Sequence, residues 1–162
     1  MVNASSNNHW LVYLTLLLAF MLSAFPLPAV MQWAWPEWVP LVCIYWVLAL
    51  PHRFNLGLAF IIGLLLDLLQ YNFLGMNALA MVVTVFFAAM LYRRMRMYRV
   101  WQQAFVIGLL IAINQFIGYW GQSLGGNTTD IWMIFLPALT SAIVWPWIFV
   151  VLRGLRRAFR VT

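Results

Sequence analysis

A chain of 162 residues that is 66% hydrophobic and 17% aromatic, with only 7% charged side chains, has too few polar residues to cover the surface of a soluble domain. It therefore reads as an integral membrane protein. Its net charge of +6 comes from nine Arg and no Lys against Glu37, Asp67 and Asp130, and the arginines lie in loops and a tail beside apolar runs, so anionic lipid explains them and nucleic acid does not.

The length suits one bundle of short-looped helices, and residues 1–162 are expected to form a single all-α transmembrane domain of about six spans. Residues 1–9 are polar and free of Lys and Arg, so they lack the basic start of a secretory signal. Residues 10–31 are uncharged and long enough to span, with Pro26 and Pro28 bending or ending the helix near the far side. Trp33, Trp35 and Trp38 then crowd Glu37 in a turn that reads as an aromatic belt at a headgroup boundary. Residues 38–50 would give only about 20 Å of helix and form the weakest span, which thins the bilayer, borrows residues 36–38 as extra length, or is re-entrant.

A basic turn containing His52 and Arg53 leads into a span over residues 55–71, and Gly75 permits the bend into the next, over residues 78–92. Arg93, Arg94, Arg96 and Arg99 close that span. Residues 100–121 and 131–152 supply the last two, separated by the polar loop 122–130, and the tail carries Arg153, Arg156, Arg157 and Arg160. With six spans and both termini in the cytoplasm, all nine arginines fall on one side and Glu37 and Asp130 on the other, as the positive-inside bias requires.

Asp67 is the one acid set inside an apolar run. A helix starting at Asn55 puts it about 18 Å along, well inside the hydrocarbon. Ala59, Gly63, Asp67 and Gln70 recur at helical spacing, as do Gly108, Ala112, Gln115, Tyr119 and Gln122. These two stripes are expected to form a seam that packs helices or receives a partner, with Pro137 and Pro146 bending the last span to shape it. No Arg lies within a span, so Asp67 is expected to be largely protonated and bonded to a group on a neighbouring helix, where Asn could replace it. The competing expectation is a closed polar cavity around Asp67 and Gln115 that binds a small molecule. Residues 59–70 align without gaps on residues 104–115, sharing Ala-Phe, Gly and Gln, which raises an internal repeat. His9 and His52 stand apart, the acids are single and Cys43 lies alone in an apolar stretch, so no catalytic set, cofactor or metal site is expected.

YWVLALPHR at 45–53, the G-x-x-x-D of Gly63 and Asp67 followed by Leu74-Gly75 and Ala78-Leu79-Ala80-Met81, WQQA at 101–104, and WPWIF at 145–149 followed by Arg153 together resemble the bacterial MreD family of rod shape-determining proteins. The resemblance covers nearly the whole chain. It implies a non-catalytic inner-membrane component of the cell-wall elongation machinery, working with the bitopic membrane protein MreC, the actin-like MreB filaments, and the RodA and class B penicillin-binding synthase pair. It also implies a fold similar to the S components of energy-coupling transporters, an analogy that speaks to fold before function.

Overall fold

The computed structural model of the protein describes residues 10–71, 73–126 and 130–159. Arg160 and Asn127 lie outside them. The described residues form seven helices and no strand: α1 (Trp10–Ser23), α2 (Ala29–Gln32), α3 (Trp38–Ala49), α4 (Leu56–Gln70), α5 (Met76–Met95), α6 (Val100–Leu124) and α7 (Ile131–Ala158). Three of them, α5, α6 and α7, are long and apolar enough to cross a membrane by themselves, whereas α1, α3 and α4 have 14, 12 and 15 residues.

The first expected span is cut short. Pro26 and Pro28 follow the end of α1 and deny the backbone donors that would carry it on to residue 31, so the chain turns and restarts as the single-turn α2. The Trp35 indole N–H donates to the Leu22 carbonyl at 3.0 Å, folding this segment back onto the end of α1. In α7, by contrast, Pro137 and Pro146 are accommodated within one continuous helix, and Thr140 Oγ1 donates to the Leu136 and Pro137 carbonyls at 3.1 and 3.0 Å.

The expected weak span is the centre of the bundle. Every residue of α3 from 39 to 48 is buried, with α1, α5, α6 and α7 packed around it. Twelve residues rise about 18 Å, well short of the roughly 30 Å hydrocarbon layer. Such a helix needs no lipid-facing length, because protein meets it on all sides. Trp46 is fully buried and its indole N–H donates to Thr15 Oγ1 at 2.9 Å, tying α3 to α1. Thr15 in turn donates to the Val12 carbonyl, so the pair is satisfied without water.

α4 packs on α5, α5 on α3 and α6, and α6 on α7. The Trp10 ring meets the Phe159 ring at 5.5 Å, which sets the start of α1 beside the end of α7, and Arg96, Arg153 and Arg156 line one cavity with Leu48 and Ala49 at the end of α3. One end of the bundle accordingly gathers Arg53, Arg93, Arg94, Arg96, Arg99, Arg153, Arg156 and Arg157. The acids belong to the opposite half. These are called the arginine end and the acidic end below.

The two aligned stretches make related contacts. A Cβ on Gly63 would meet Ala78 of α5, and one on Gly108 would lie 3.7 Å from the Ala138 carbonyl and 3.1 Å from Ala142 Cβ of α7. Outside the aligned stretches, Ala78-Leu79 and Ala138-Leu139 each stand the same distance before an arginine, Arg93 and Arg153. In each half, a glycine lets the following helix come close.

Candidate functional site

Asn55 caps α4 by accepting the Leu58 N–H at 2.9 Å, and from that start Ala59, Gly63 and Asp67 fall on the buried face, toward α5. Asp67 is 1% exposed. Its Oδ2 accepts the N–H groups of Gly75 at 2.8 Å and Ala78 at 3.4 Å, and its Oδ1 accepts that of Asn77 at 3.0 Å. These are the first donors of α5, which have no partner inside their own helix. A side chain on one helix thus caps the next, and its position at the positive end of the α5 dipole favours an anion.

Gly63 makes that cap reachable. A Cβ there would lie 2.4 Å from Ala78 Cα and 2.7 Å from both Ala78 N and the Asn77 carbonyl oxygen, which is backbone against backbone. The G-x-x-x-D spacing is therefore one device: glycine opens the approach and aspartate fills the donors it exposes. Gly75 turns the chain with φ +101°, a conformation that side chains rarely adopt, and Gln70 Oε1 accepts from Asn77 Nδ2 at 3.0 Å beside it.

One expectation for Asp67 needs correcting. It lies in the last turn of α4, three residues from the helix end, rather than deep along a long span. Its bonds to a neighbouring helix are as expected, and all three partners are backbone donors because a helix start delivers several N–H groups at once.

Asp67 and Gln115, expected to line one closed cavity, take different hydrogen-bond partners. Gln115 Nε2 donates to Glu37 Oε1, while the Glu37 N–H donates to Ser141 Oγ at 3.0 Å. Ser141 lies ten residues beyond the start of α7, about 15 Å along it, so Glu37, half-buried, packs against the side of α7. Above it a cavity of about 230 Å³ is lined by Gln32, Trp33, Tyr119, Gln122 and Pro137. The α6 stripe divides accordingly. Gly108 packs on α7, Ala112 and Pro146 are half-buried, and Gln115, Tyr119 and Gln122 line this outer cavity.

Several participants escaped the sequence reading. Asn114, inside an apolar run, donates to Thr84 Oγ1 at 3.0 Å, and Thr84 donates to the Ala80 carbonyl at 2.7 Å, a buried link between α5 and α6. Small hydroxyl residues set in apolar helices, Thr15, Thr84 and Ser141 among them, were the available signal. At the arginine end, Arg93 and Arg94 fall in the last turn of α5, Arg96 at its cap, Arg99 at the cap of α6, and Arg156 and Arg157 in the last turn of α7. Cations at α5 and α7 C-termini complement the helix dipoles. Among the described residues no group of three or more His, Cys, Asp or Glu could hold a metal ion.

The family model of the rod shape-determining protein MreD matches residues 4–155. The rod shape-determining protein MreD of Haemophilus influenzae is 31% identical over 144 residues, which is 89% of this chain and 89% of that protein. No solved structure matches the chain. A match of this extent, on a bundle of apolar helices long enough to cross a membrane, shows that the chain belongs to the MreD family of rod shape-determining membrane proteins, which are not enzymes.

Proposed function

We propose that the chain is a scaffold of the bacterial cell-wall elongation complex, embedded in the inner membrane by six crossings with both termini cytoplasmic. Its partners are a MreC-like bitopic protein, the RodA and class B penicillin-binding synthase pair, and MreB filaments. The observation that carries this reading is how the internal polar groups are used. Asp67 holds the start of α5, Asn114 holds Thr84, and Glu37 holds Ser141 and Gln115, so these three groups are committed to ties between segments of the bundle. A groove of about 210 Å³ between α1 and α4, lined by Tyr13, Leu16, Phe54 and Leu58 with Arg53 at its end, offers an apolar seat for the single transmembrane helix of the MreC-like partner.

Two experiments test it. A reporter fused after Thr162 should be active in the cytoplasm and one inserted at Asn127 on the outer face; both on one side would reject six crossings with this orientation. In detergent, the wild-type chain should co-purify with a MreC-like protein, and Val12→Trp with Leu58→Trp, both at half-buried positions lining the groove, should cut recovery about tenfold, as filling a central pocket does, while leaving the melting temperature nearly unchanged. Recovery of the partner at wild-type levels would remove this groove as the seat. A stoichiometric vitamin-sized molecule in place of the partner would favour a small-molecule-binding subunit instead.

A further inference from the structure

At the arginine end the bundle encloses a cavity of about 310 Å³ between the ends of α3, α5 and α7 and the start of α6. Arg96, Arg153 and Arg156 line it, so two helices separated by more than fifty residues of sequence deliver three guanidinium groups to one concavity. The acids of the chain cannot balance them: Asp67 and Glu37 are engaged in the other half of the bundle, and Asp130 caps the far end of α7. Three like charges drawn together in this way favour an anion between them.

The cations are held in place rather than left to sweep through solvent. Arg153 Cζ stands 5.8 Å from the Phe149 ring, which also meets the Tyr45 ring at 6.0 Å and the Trp145 ring at 6.1 Å. Arg96 reaches the Leu48 carbonyl at 3.4 Å and lies 6.0 Å from the Tyr92 ring. Cations stacked on aromatic faces lose less freedom when an anion arrives.

A second, independent observation lies in the same cavity. Gln103 is 6% exposed and lines it, and its Nε2 donates to the Met95 and Tyr98 carbonyls at 2.9 and 3.2 Å. That pair of bonds fixes the amide and leaves Oε1 buried with no hydrogen-bond partner. A buried acceptor in that condition calls for a donor. Arginines ask for a phosphate and Gln103 asks for a hydroxyl, and both belong to one molecule when the phosphate carries a short polyol. Leu48, Met95 and Phe149 supply an apolar wall at the end of membrane-crossing helices, where an acyl chain would lie.

We propose that this cavity is a binding site for a hydroxylated phosphodiester headgroup, supplied by an anionic glycerol-type phospholipid of the leaflet at the arginine end. The guanidinium groups take the phosphate oxygens, and a headgroup hydroxyl donates to Gln103 Oε1. The site goes beyond general attraction of basic residues to anionic lipid, because Arg93, Arg94 and Arg157 share the same end and do not line the cavity.

The test uses the purified full chain in a neutral detergent, with short-chain phosphatidylglycerol as the probe and its affinity read from the shift in melting temperature. Binding should saturate, with short-chain phosphatidylcholine giving no saturable shift. Arg153→Gln with Arg156→Gln should weaken it about thirtyfold, the expected loss for two headgroup-level arginines, whereas Arg93→Gln with Arg94→Gln should leave it within about twofold. Equal loss in both pairs would overturn the site in favour of diffuse surface charge. Should the Gln pair fail to fold, Arg153→Lys with Arg156→Lys keeps the charge, loses the forked donors, and should still weaken binding about fivefold; unchanged affinity would count against the site. On the wild type, phosphatidylmethanol has the same charge without the hydroxyls and should bind more weakly than phosphatidylglycerol; equal affinity would remove Gln103 from the site. Displacement of the lipid by glycerol phosphate or inorganic phosphate at comparable concentration would make the occupant a soluble phosphate and overturn the lipid assignment, and displacement only by an acidic peptide would make it a protein partner.

Discussion

Gly63→Ala should destabilise the protein by about 2 kcal/mol, even though the same exchange in most helices is favourable. The balance is between two effects of known size. Replacing a helical glycine by alanine returns roughly 1 kcal/mol of backbone propensity, while forcing an atom into a packed contact costs about 1–3 kcal/mol and more when nothing can give way. At Gly63 the added methyl would meet Ala78 Cα at 2.4 Å and the Asn77 carbonyl at 2.7 Å, so the obstacle is the first turn of α5 itself and cannot rotate aside. The helix would have to move, and in moving it would leave Asp67. Gly118→Ala is the control, because its methyl would find nothing nearer than Asn77 Oδ1 at 4.0 Å and should stabilise by up to about 1 kcal/mol. Thermal unfolding in detergent, followed by the fluorescence of the ten tryptophans, gives both signs in one experiment. A Gly63→Ala variant as stable as Gly118→Ala would contradict the close approach of α4 to α5.

Removing the acid should cost as much or more. Asp67→Leu leaves the N–H groups of Gly75, Asn77 and Ala78 without their acceptor, and a single unsatisfied buried group costs about 1–3 kcal/mol. The three do not add fully, since the start of α5 can open toward water, and a loss of about 3 kcal/mol or more is expected. Asp67→Asn should fall between. Its amide oxygen can serve one side of the cap, but the amide nitrogen is a donor facing a donor, so a loss of about 1–2 kcal/mol should appear with lower abundance in the membrane. This reverses the reading in which Asn was an adequate substitute, and the reversal comes from the partners alone. The same variant also probes function. If the Asn form were as abundant as wild type and still bound to its partners, yet failed to support rod shape, Asp67 would be acting as a charge carrier and the scaffold reading would fail.

Both variants act on a motif that was visible as a spacing and ambiguous as a contact. Gly63 and Asp67 on one helical face call for protein opposite them, and protein is there. What stands opposite is the backbone of α5, reached because Gly75 turns the chain sharply after residue 71. Nothing in a four-residue spacing tells a helix start from a neighbouring side chain. Gln115 was equally visible, and it was assigned to the wrong neighbourhood because Glu37, its partner, precedes it by 78 residues.

Composition by itself determined the class of protein, since so apolar a chain has nowhere but a membrane to put its surface. The arginine clusters indicated which helix ends lie together, because they fall at or just beyond the C-terminal ends of α3, α5 and α7. Tertiary structure alone decided that the shortest apolar run, α3, is the core. Lipid tails are as apolar as leucine, so hydropathy reads a helix wrapped in lipid and a helix wrapped in other helices as the same thing. It also decided that Glu37 bonds Ser141, and that Arg96 meets Arg153 and Arg156 across one cavity. Those are contacts between residues far apart in the chain, fixed by how the helices pack, and no local pattern in the sequence carries them.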